Sequence, residues 1–472
     1  MEIEAIKKLI KENVRGYPSR NVRIRKATMY YENKNDILRK RDPLEEKRKK
    51  MKESENPLRS ADNRISHPFH QLLVNQKAAY TMTVPPLFDV DDKSLNDEIV
   101  KLLGDMYAKV AKDLCINASN AGVAWLHIWR DENHQNFFRY AVVDSQQIIP
   151  VYSKKLSNDL EGVLRIYEDY DEDANTIVVY EYWNDEMCSR FFRPKKTTVE
   201  DLEAFNSFPV LDIGTNEEVG LTNEFIHGWK KVPFIPFRNN PSEQSDLDLY
   251  KQLIDVYDKV FSGFVNDVDD IQQIIFVLTN YGGEDKEEFL KDLKQYKMIK
   301  IDSDVEGEKS GVDTLAVDIP IEARAKILEV TREAIFSLGQ GVDPQKNIGQ
   351  NNSGAALKYM YSLLELKASM LETEFRVGFA DLVRFILEYS GKNSDVTIKQ
   401  TWTRSAINND LEQADIVSKL ATVTSQENIA KSNPLVENWE TELANLKKEL
   451  GEDLRAEDDY KAKDDDDDQA DE

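Results

Sequence analysis

The stretch VPFIPFRNNPSEQSDLDLYKQLIDVYDKVFSGFVNDVDDIQQ, residues 232–273, decides the fold because its periodicity changes in the middle. Its opening residues close a β-rich region over 122–237, and after Asn239-Asn240-Pro241 the period becomes that of a helix. Leu249, Leu253, Val256, Tyr257, Val260, Phe264, Val268 and Ile271 return every three or four residues, which predicts one amphipathic helix over 246–273. At 1.5 Å per residue such a helix is roughly 42 Å long, long for a globular domain. Its other face is acidic, with Asp246, Asp248, Asp255, Asp258, Asp267, Asp269 and Asp270 against Lys251 and Lys259. On an isolated chain that face is simply solvated.

Working back from this helix, strands are predicted over 122–130, 137–143, 162–170 and Thr176–Trp183, with a further pair near 191–194 and 223–229. Asp169, Asp171 and Asp173 imitate a calcium loop, but Ala174 and Tyr180 stand where Gly and Glu are required, so they read as a hairpin tip. One helix is predicted over 94–121 and another over 70–81, ended by Pro85-Pro86. Before them come short helices, with Pro18 and Pro43 as breaks. Working forward, residues 275–319 form a compact insertion with a helix over 286–296 and flanking short strands. Pro320 opens a helix that runs to Leu338. The linker GQGVDPQKNIGQNNSG, residues 339–354, is longer than the 2 to 8 residues usual between helices. Its four glycines, Gly339, Gly341, Gly349 and Gly354, promise backbone freedom. Asn352 or Ser353 caps a long helix over 355–389, with Gly378 as a possible bend, and a strand over 396–402 and short C-terminal helices follow. The fold class is α+β.

The composition narrows the function by exclusion. The 472 residues carry a formal charge of −25, yet residues 1–60 hold 18 Lys+Arg against 10 Asp+Glu, so the rest is more acidic still. The last segment, 457–472, ends in a run of aspartates that its composition marks as disordered. No apolar run approaches the ~20 residues of a membrane span, and MEIEAIKKLI lacks the basic start of a secretory signal, so synthesis in a cytoplasm is expected. Cys115 and Cys188 alone support neither a disulfide framework nor a thiolate zinc site, and both read as packing residues. Of the five histidines, His67 and His70 flank a proline that spoils zincin spacing. Phosphate-binding and nucleophile-elbow motifs are missing from the sequence, so neither an enzyme nor a cofactor or metal is expected.

Three segments carry a resemblance: Met29-Tyr-Tyr-Glu-Asn-Lys-Asn-Asp-Ile-Leu38, Val232-Pro-Phe-Ile-Pro-Phe-Arg-Asn-Asn240 with the acidic helix behind it, and Asn352-Ser-Gly-Ala-Ala-Leu-Lys358 ahead of the long helix. In this order they resemble the portal proteins of tailed bacteriophages, of the type found in long-tailed phages of Gram-positive hosts. The resemblance implies a ring of twelve subunits at one capsid vertex of the virion, around a channel for double-stranded DNA read without sequence specificity. Its partners are the large terminase subunit, a head-to-tail adaptor, a scaffold and the major capsid protein, with no membrane. The alternative is a non-enzymatic scaffold built on coiled coils.

The resemblance divides the chain into a wing over 1–243, a stem helix over 244–275, a clip over 276–319 and a second stem helix over 320–338. A tunnel loop over 339–354, a long spine helix over 355–390, a wing strand over 391–407 and a helical crown over 408–456 complete it. Gln345, Lys346, Asn347, Gln350, Asn351 and Asn352 are the tunnel-loop residues placed to touch DNA. Asp255, Asp258, Asp267, Asp269 and Asp270 are the acids expected to face the channel, where like charge lets DNA slide. Lys286, Lys291, Lys294 and Lys297 are the clip residues expected to dock partners.

Overall fold

A computed structural model describes residues 3–39, 61–131, 138–171, 173–211, 218–271, 275–279, 311–315, 320–345 and 354–405, with isolated positions at 295, 419, 424–425, 439, 442–443 and 445–449. The chain divides into two compact units, one made of residues 1–345 and 363–405, the other of 346–362 and 406–472. Of the second, the described part is the first turns of one helix and scattered positions.

The first unit opens with α1 (Ile3–Asn13) and α2 (Tyr17–Tyr31), where Pro18 lies in the opening turn of α2 rather than ending it. After α3 (Phe69–Met82) and β1 (Leu87–Asp89) come α4 (Lys93–Leu103) and α5 (Tyr107–Ala121). The single helix expected over 94–121 is thus two, because Gly104 takes φ +60° and closes α4.

Strands β2 (Val123–Arg130), β3 (Phe138–Val143) and, much later, β12 (Phe234–Arg238) make a sheet of order β12-β2-β3. Strands β4 (Ile148–Tyr152), β5 (Leu160–Tyr170), β6 (Thr176–Trp183), β7 (Met187–Pro194), β8 (Glu203–Ala204) and β11 (Glu224–Ile226) make a larger antiparallel sheet of order β11-β7-β6-β5-β4, with β8 also on β7. A hairpin of β9 (Phe208–Leu211) and β10 (Glu218–Thr222) lies outside both. Two strands that contain a proline, β4 with Pro150 and β12 with Pro236, lie at sheet edges, where a residue without an N–H is tolerated. The pair expected near 191–194 and 223–229 forms as β7 with β11, but its register joins Met187 to Ile226 and Ser189 to Glu224. Asp171 accepts from the backbone N–H of Asp173 and Asn175, as a hairpin tip requires.

Then come α6 (Lys251–Ile271), an antiparallel pair of β13 (Ile275–Thr279) and β14 (Gly311–Leu315), α7 (Ile321–Leu338), α8 (Gly354–Tyr389) and β15 (Lys399–Thr401), which pairs with β1. The predicted clip helix and C-terminal helices are described only at the isolated positions named above, and the short strand expected after the clip helix and the acidic tail lie outside the described residues. Gly378 serves close packing: a Cβ there would lie 2.7 Å from the Phe237 ring.

The largest core lies where α5 and α8 cover the β12-β2-β3 sheet, with Leu114, Leu126, Phe237, Phe375 and Phe379 at its centre. Ile6 and Ile10 of α1 cap the larger sheet through Leu164 and Phe191, and Trp125, Val163 and Phe234 fill the seam between the sheets. Both cysteines are buried here, as packing residues.

The turn from α5 into β2 is locked against the loop after β12. Gly122 sits at φ +83°, its carbonyl accepts from the Asn239 N–H at 2.8 Å, and a Cβ would lie 2.1 Å from the Glu243 carbonyl. We expect Gly122→Ala to lower unfolding stability by roughly 3 kcal/mol, read as a drop in the urea midpoint at unchanged slope.

Buried His70 and half-buried His127 make this unit acid-sensitive. Burial holds His70 and His127 down to about 4, despite Asp246 beside the first and the Pro233 carbonyl on the second. The unfolded chain takes these protons near pH 6.5 while the folded one does not, so their contribution is complete above 6.5 and declines as pH falls. Stability should drop by about 2 kcal/mol per histidine between pH 7 and 5. Urea melts of His127→Phe should show a shallower decline than wild type.

Candidate functional site

The first helical stretch after the β region does not begin where periodicity places it. Asp246–Leu249 is a single 3-10 turn, capped by the Ser245 hydroxyl on the Leu247 N–H, and the α-helix proper begins at Lys251. The reason is Asp246, which the periodic reading puts on a wet face and which instead turns inward. Its Oδ2 accepts from Lys77 Nζ of α3 at 2.7 Å and pairs with Lys367 Nζ of α8 at 2.9 Å, while Oδ1 accepts from Asn239 Nδ2 at 2.8 Å. Lys77 also donates to Asn239 Oδ1, and Lys367 to the Gly339 carbonyl at the end of α7. All three charged groups are buried.

One carboxylate between two ammonium groups leaves a net positive charge out of water. Burial alone would raise the Asp246 carboxyl, but Lys367 and Lys77 overcome it and hold the group well below the carboxylate range. Burial pulls Lys367 below its ordinary value, only partly opposed by Asp246. His70 lies beside the pair, with its Nε2 donating to Asn120 Oδ1 at 2.9 Å and its Nδ1 accepting from the Tyr250 hydroxyl at 2.7 Å, which suits a neutral ring.

The acidic face of α6 is also occupied. Residues 61–67 run along the helix, and alternate backbone N–H groups bond to side chains one turn apart: Ala61 to Asp270, Asn63 to Asn266, Ile65 to Ser262 and His67 to Asp258. Two residues of extended chain advance about 6.6 Å and four of helix about 6 Å, so the two repeats stay in step. Asp258 is 0% exposed and also accepts from His67 Nδ1 and Asn35 Nδ2, so it presents no charge to solvent. This corrects the channel-facing expectation for Asp258. Of the other four acids, Asp255 holds Lys251 and the Tyr30 hydroxyl, Asp267 holds Arg324, Asp269 accepts from Asn63, and Asp270 holds Ala61.

The start of the 339–354 linker is fastened rather than free. A Cβ on Gly339 would lie 2.6 Å from the Leu73 side chain, and one on Gly341 2.2 Å from it. Here glycine allows α3 to come close. Gln76 brackets Val342, donating to its carbonyl at 2.7 Å and accepting from its N–H at 3.1 Å. Arg332 of α7 grips Asp343 in a two-pronged ion pair, and Asp343 in turn accepts from the Gln345 N–H. Between Gln345 and Gly354 the linker lies outside the described residues. Lys346, Asn347, Gln350, Asn351 and Asn352 lie outside the described residues, as do Lys286, Lys291, Lys294 and Lys297.

Lys77, Asn239 and Lys367 were not singled out in the sequence. The available signal was a lysine inside each of two otherwise apolar helix faces, LLVNQKAAY and LLELKASML.

The family model for phage portal proteins of the SPP1 Gp6-like type matches residues 11–456. The portal protein of Clostridium phage phiCD119 is 41% identical over 452 residues, spanning 93% of this chain and 94% of that one. The portal protein of Bacillus phage SPP1 is 32% identical over 444 residues, spanning 90% and 83%. A chain in the virion of a native gene transfer agent particle aligns over 78% of this chain and 90% of its own length, at 13% identity and a TM-score of 0.40. The chain belongs to the SPP1 Gp6-like family of phage portal proteins, the structural head-to-tail connectors of the virion, which assemble into rings. Among the described residues no helix is long and apolar enough to cross a membrane.

Asp246→Asn strips the only carboxylate from two buried lysines and should cost about 3 to 5 kcal/mol of unfolding stability. Lys77→Met leaves a balanced Asp246–Lys367 pair and should cost clearly less. Equal losses in chemical denaturation of the two variants would contradict the charge accounting.

Proposed function

We propose that twelve copies of this chain form the ring at one capsid vertex through which double-stranded DNA is packaged and later ejected. Family membership over residues 11–456 carries the reading. In it, α6 and α7 form the stem of the channel, the segment between them forms the clip that receives the large terminase subunit and then a head-to-tail adaptor, and 339–354 forms the tunnel loop. The wing, and the basic segment before residue 60, face scaffold and major capsid protein.

The fastened linker base supports the loop assignment. With Gly339 to Gln345 pinned by Leu73, Gln76 and Arg332, the polar residues from Lys346 onward are held at a fixed root. Amides and one lysine contact phosphates without reading bases. The charge supports a conduit: at −25 per chain, a dodecamer carries roughly −300, which repels DNA from the wall instead of adsorbing it. Of the proposed wall acids, Asp255, Asp267, Asp269 and Asp270 retain solvent-facing surface.

Negative-stain images of the purified chain should show annular particles with a central hole, and light scattering should give ~650 kDa for twelve copies of a 54.4-kDa chain. Deleting residues 346–350 leaves the Arg332–Asp343 latch in place, so rings should still form, while nuclease-protected DNA per head should fall. Lys346→Glu should act the same way but more weakly, since one exposed charge counts for little in salt. Undiminished DNA protection with the shortened loop would remove the tunnel-loop assignment.

A further inference from the structure

The two helices α6 and α7 pack on each other through one side of each, by way of Phe264, Asp267 and Arg324. On α7 the inward face is completed by Thr331, Ile335 and Phe336, all buried. Beside that face, further round the same helix, runs a second apolar stripe. Ala323, Ile327, Val330, Ala334 and Leu338 recur at intervals of four, three, four and four residues, which places them in one line. Ile327 is 47% exposed, Val330 51% and Leu338 54%. A helix apolar on two faces is suited to being covered on both.

On α6, one side meets α7 and a second is taken by residues 61–67. The remaining face is formed by Gln252, Val256, Lys259 and Gly263, spaced four, three and four. Val256 is 44% exposed. Gly263 is the informative residue. It sits inside a helix, where glycine is unfavourable, and among the described residues a Cβ built on it meets nothing within 4 Å, so the packing described gives no reason for it. A glycine on an outward helix face allows another helix to come close.

We infer that the apolar stripe of α7 in one copy packs on the Val256–Gly263 face of α6 in the next copy. This rests on the ring reading above and specifies its seam. A closed ring of more than two subunits needs a heterologous contact, in which one face meets a different face of the neighbour. These two faces lie on different helices, and both step by four and three.

The test measures assembled mass by light scattering for the full-length chain, Gly263→Leu and Val330→Asp, with circular dichroism as the fold check. Wild type should form rings, and both variants should keep the wild-type spectrum while losing at least tenfold of their ring fraction. Gly263→Leu is the sharper of the two, because the added side chain has open space in its own subunit. Wild-type rings together with undiminished variant rings would overturn the seam and leave the portal reading intact. A wild-type chain that forms no ring would remove the ring reading itself, and the seam with it. If either substitution unfolds the chain, a Gly263→Cys, Val330→Cys double variant decides. The native cysteines are buried, so a short bismaleimide should yield a covalent ladder from the double variant and from neither single one. Monomer alone in all three would overturn the proposal.

Discussion

The Asp246 carboxylate holds together elements that lie far apart in the chain. Helix α3 reaches it through Lys77, α8 through Lys367, the loop after β12 through Asn239, and the end of α7 through the Gly339 carbonyl that Lys367 also holds. Everything that leaves this block, α6, α7 and the linker alike, departs from a point set by one buried acid. Burying such charges costs several kcal/mol each and is seldom a net gain over apolar packing. What they supply is direction, since ammonium groups satisfied by a carboxylate, an amide and a backbone carbonyl tolerate few other arrangements.

Most of the helices and the central β hairpins were legible in the sequence because periodicity is a local signal. Helix α7, the long α8 and strand β6 appear at or within a residue of their expected limits. The misreadings share a cause, which is that tertiary contacts decided them. Gly104 splits one helix into two at a position where apolar spacing continues unbroken on both sides. Asp246 delays α6 by several residues because its partners come from positions 77 and 367. Pro150 and Pro236 argue against strands unless the edge location is known, and pairing order cannot be read from composition.

The same limit applies to the acidic helix. Counted along the sequence, its aspartates look like a uniform charged face. In three dimensions Asp258, Ser262, Asn266 and Asp270 form a single row of acceptors at four-residue spacing, and that row is matched to the backbone of residues 61–67. A mixed row of acid, amide and hydroxyl is what hydrogen-bond acceptance requires, whereas repulsion of DNA calls only for charge. The linker glycines differ in the same way, since Gly339 and Gly341 are shaped by Leu73 rather than by any need to flex.

Midway along the row of acceptors, between Asn63 and Ile65, lies a second fastening, where Arg64 Nη1 donates to the Arg39 carbonyl at 2.9 Å. The chain therefore leaves this spot at Arg39 and is back at it by Ala61, with the basic stretch 40–60 entered and left through a closed gate. Lengthening or shortening that stretch changes no atom of the fastening, and even doubling it would add only about 0.6 kcal/mol to the entropy of closing the loop. The stretch can therefore change in length and charge while the helix beneath keeps its geometry.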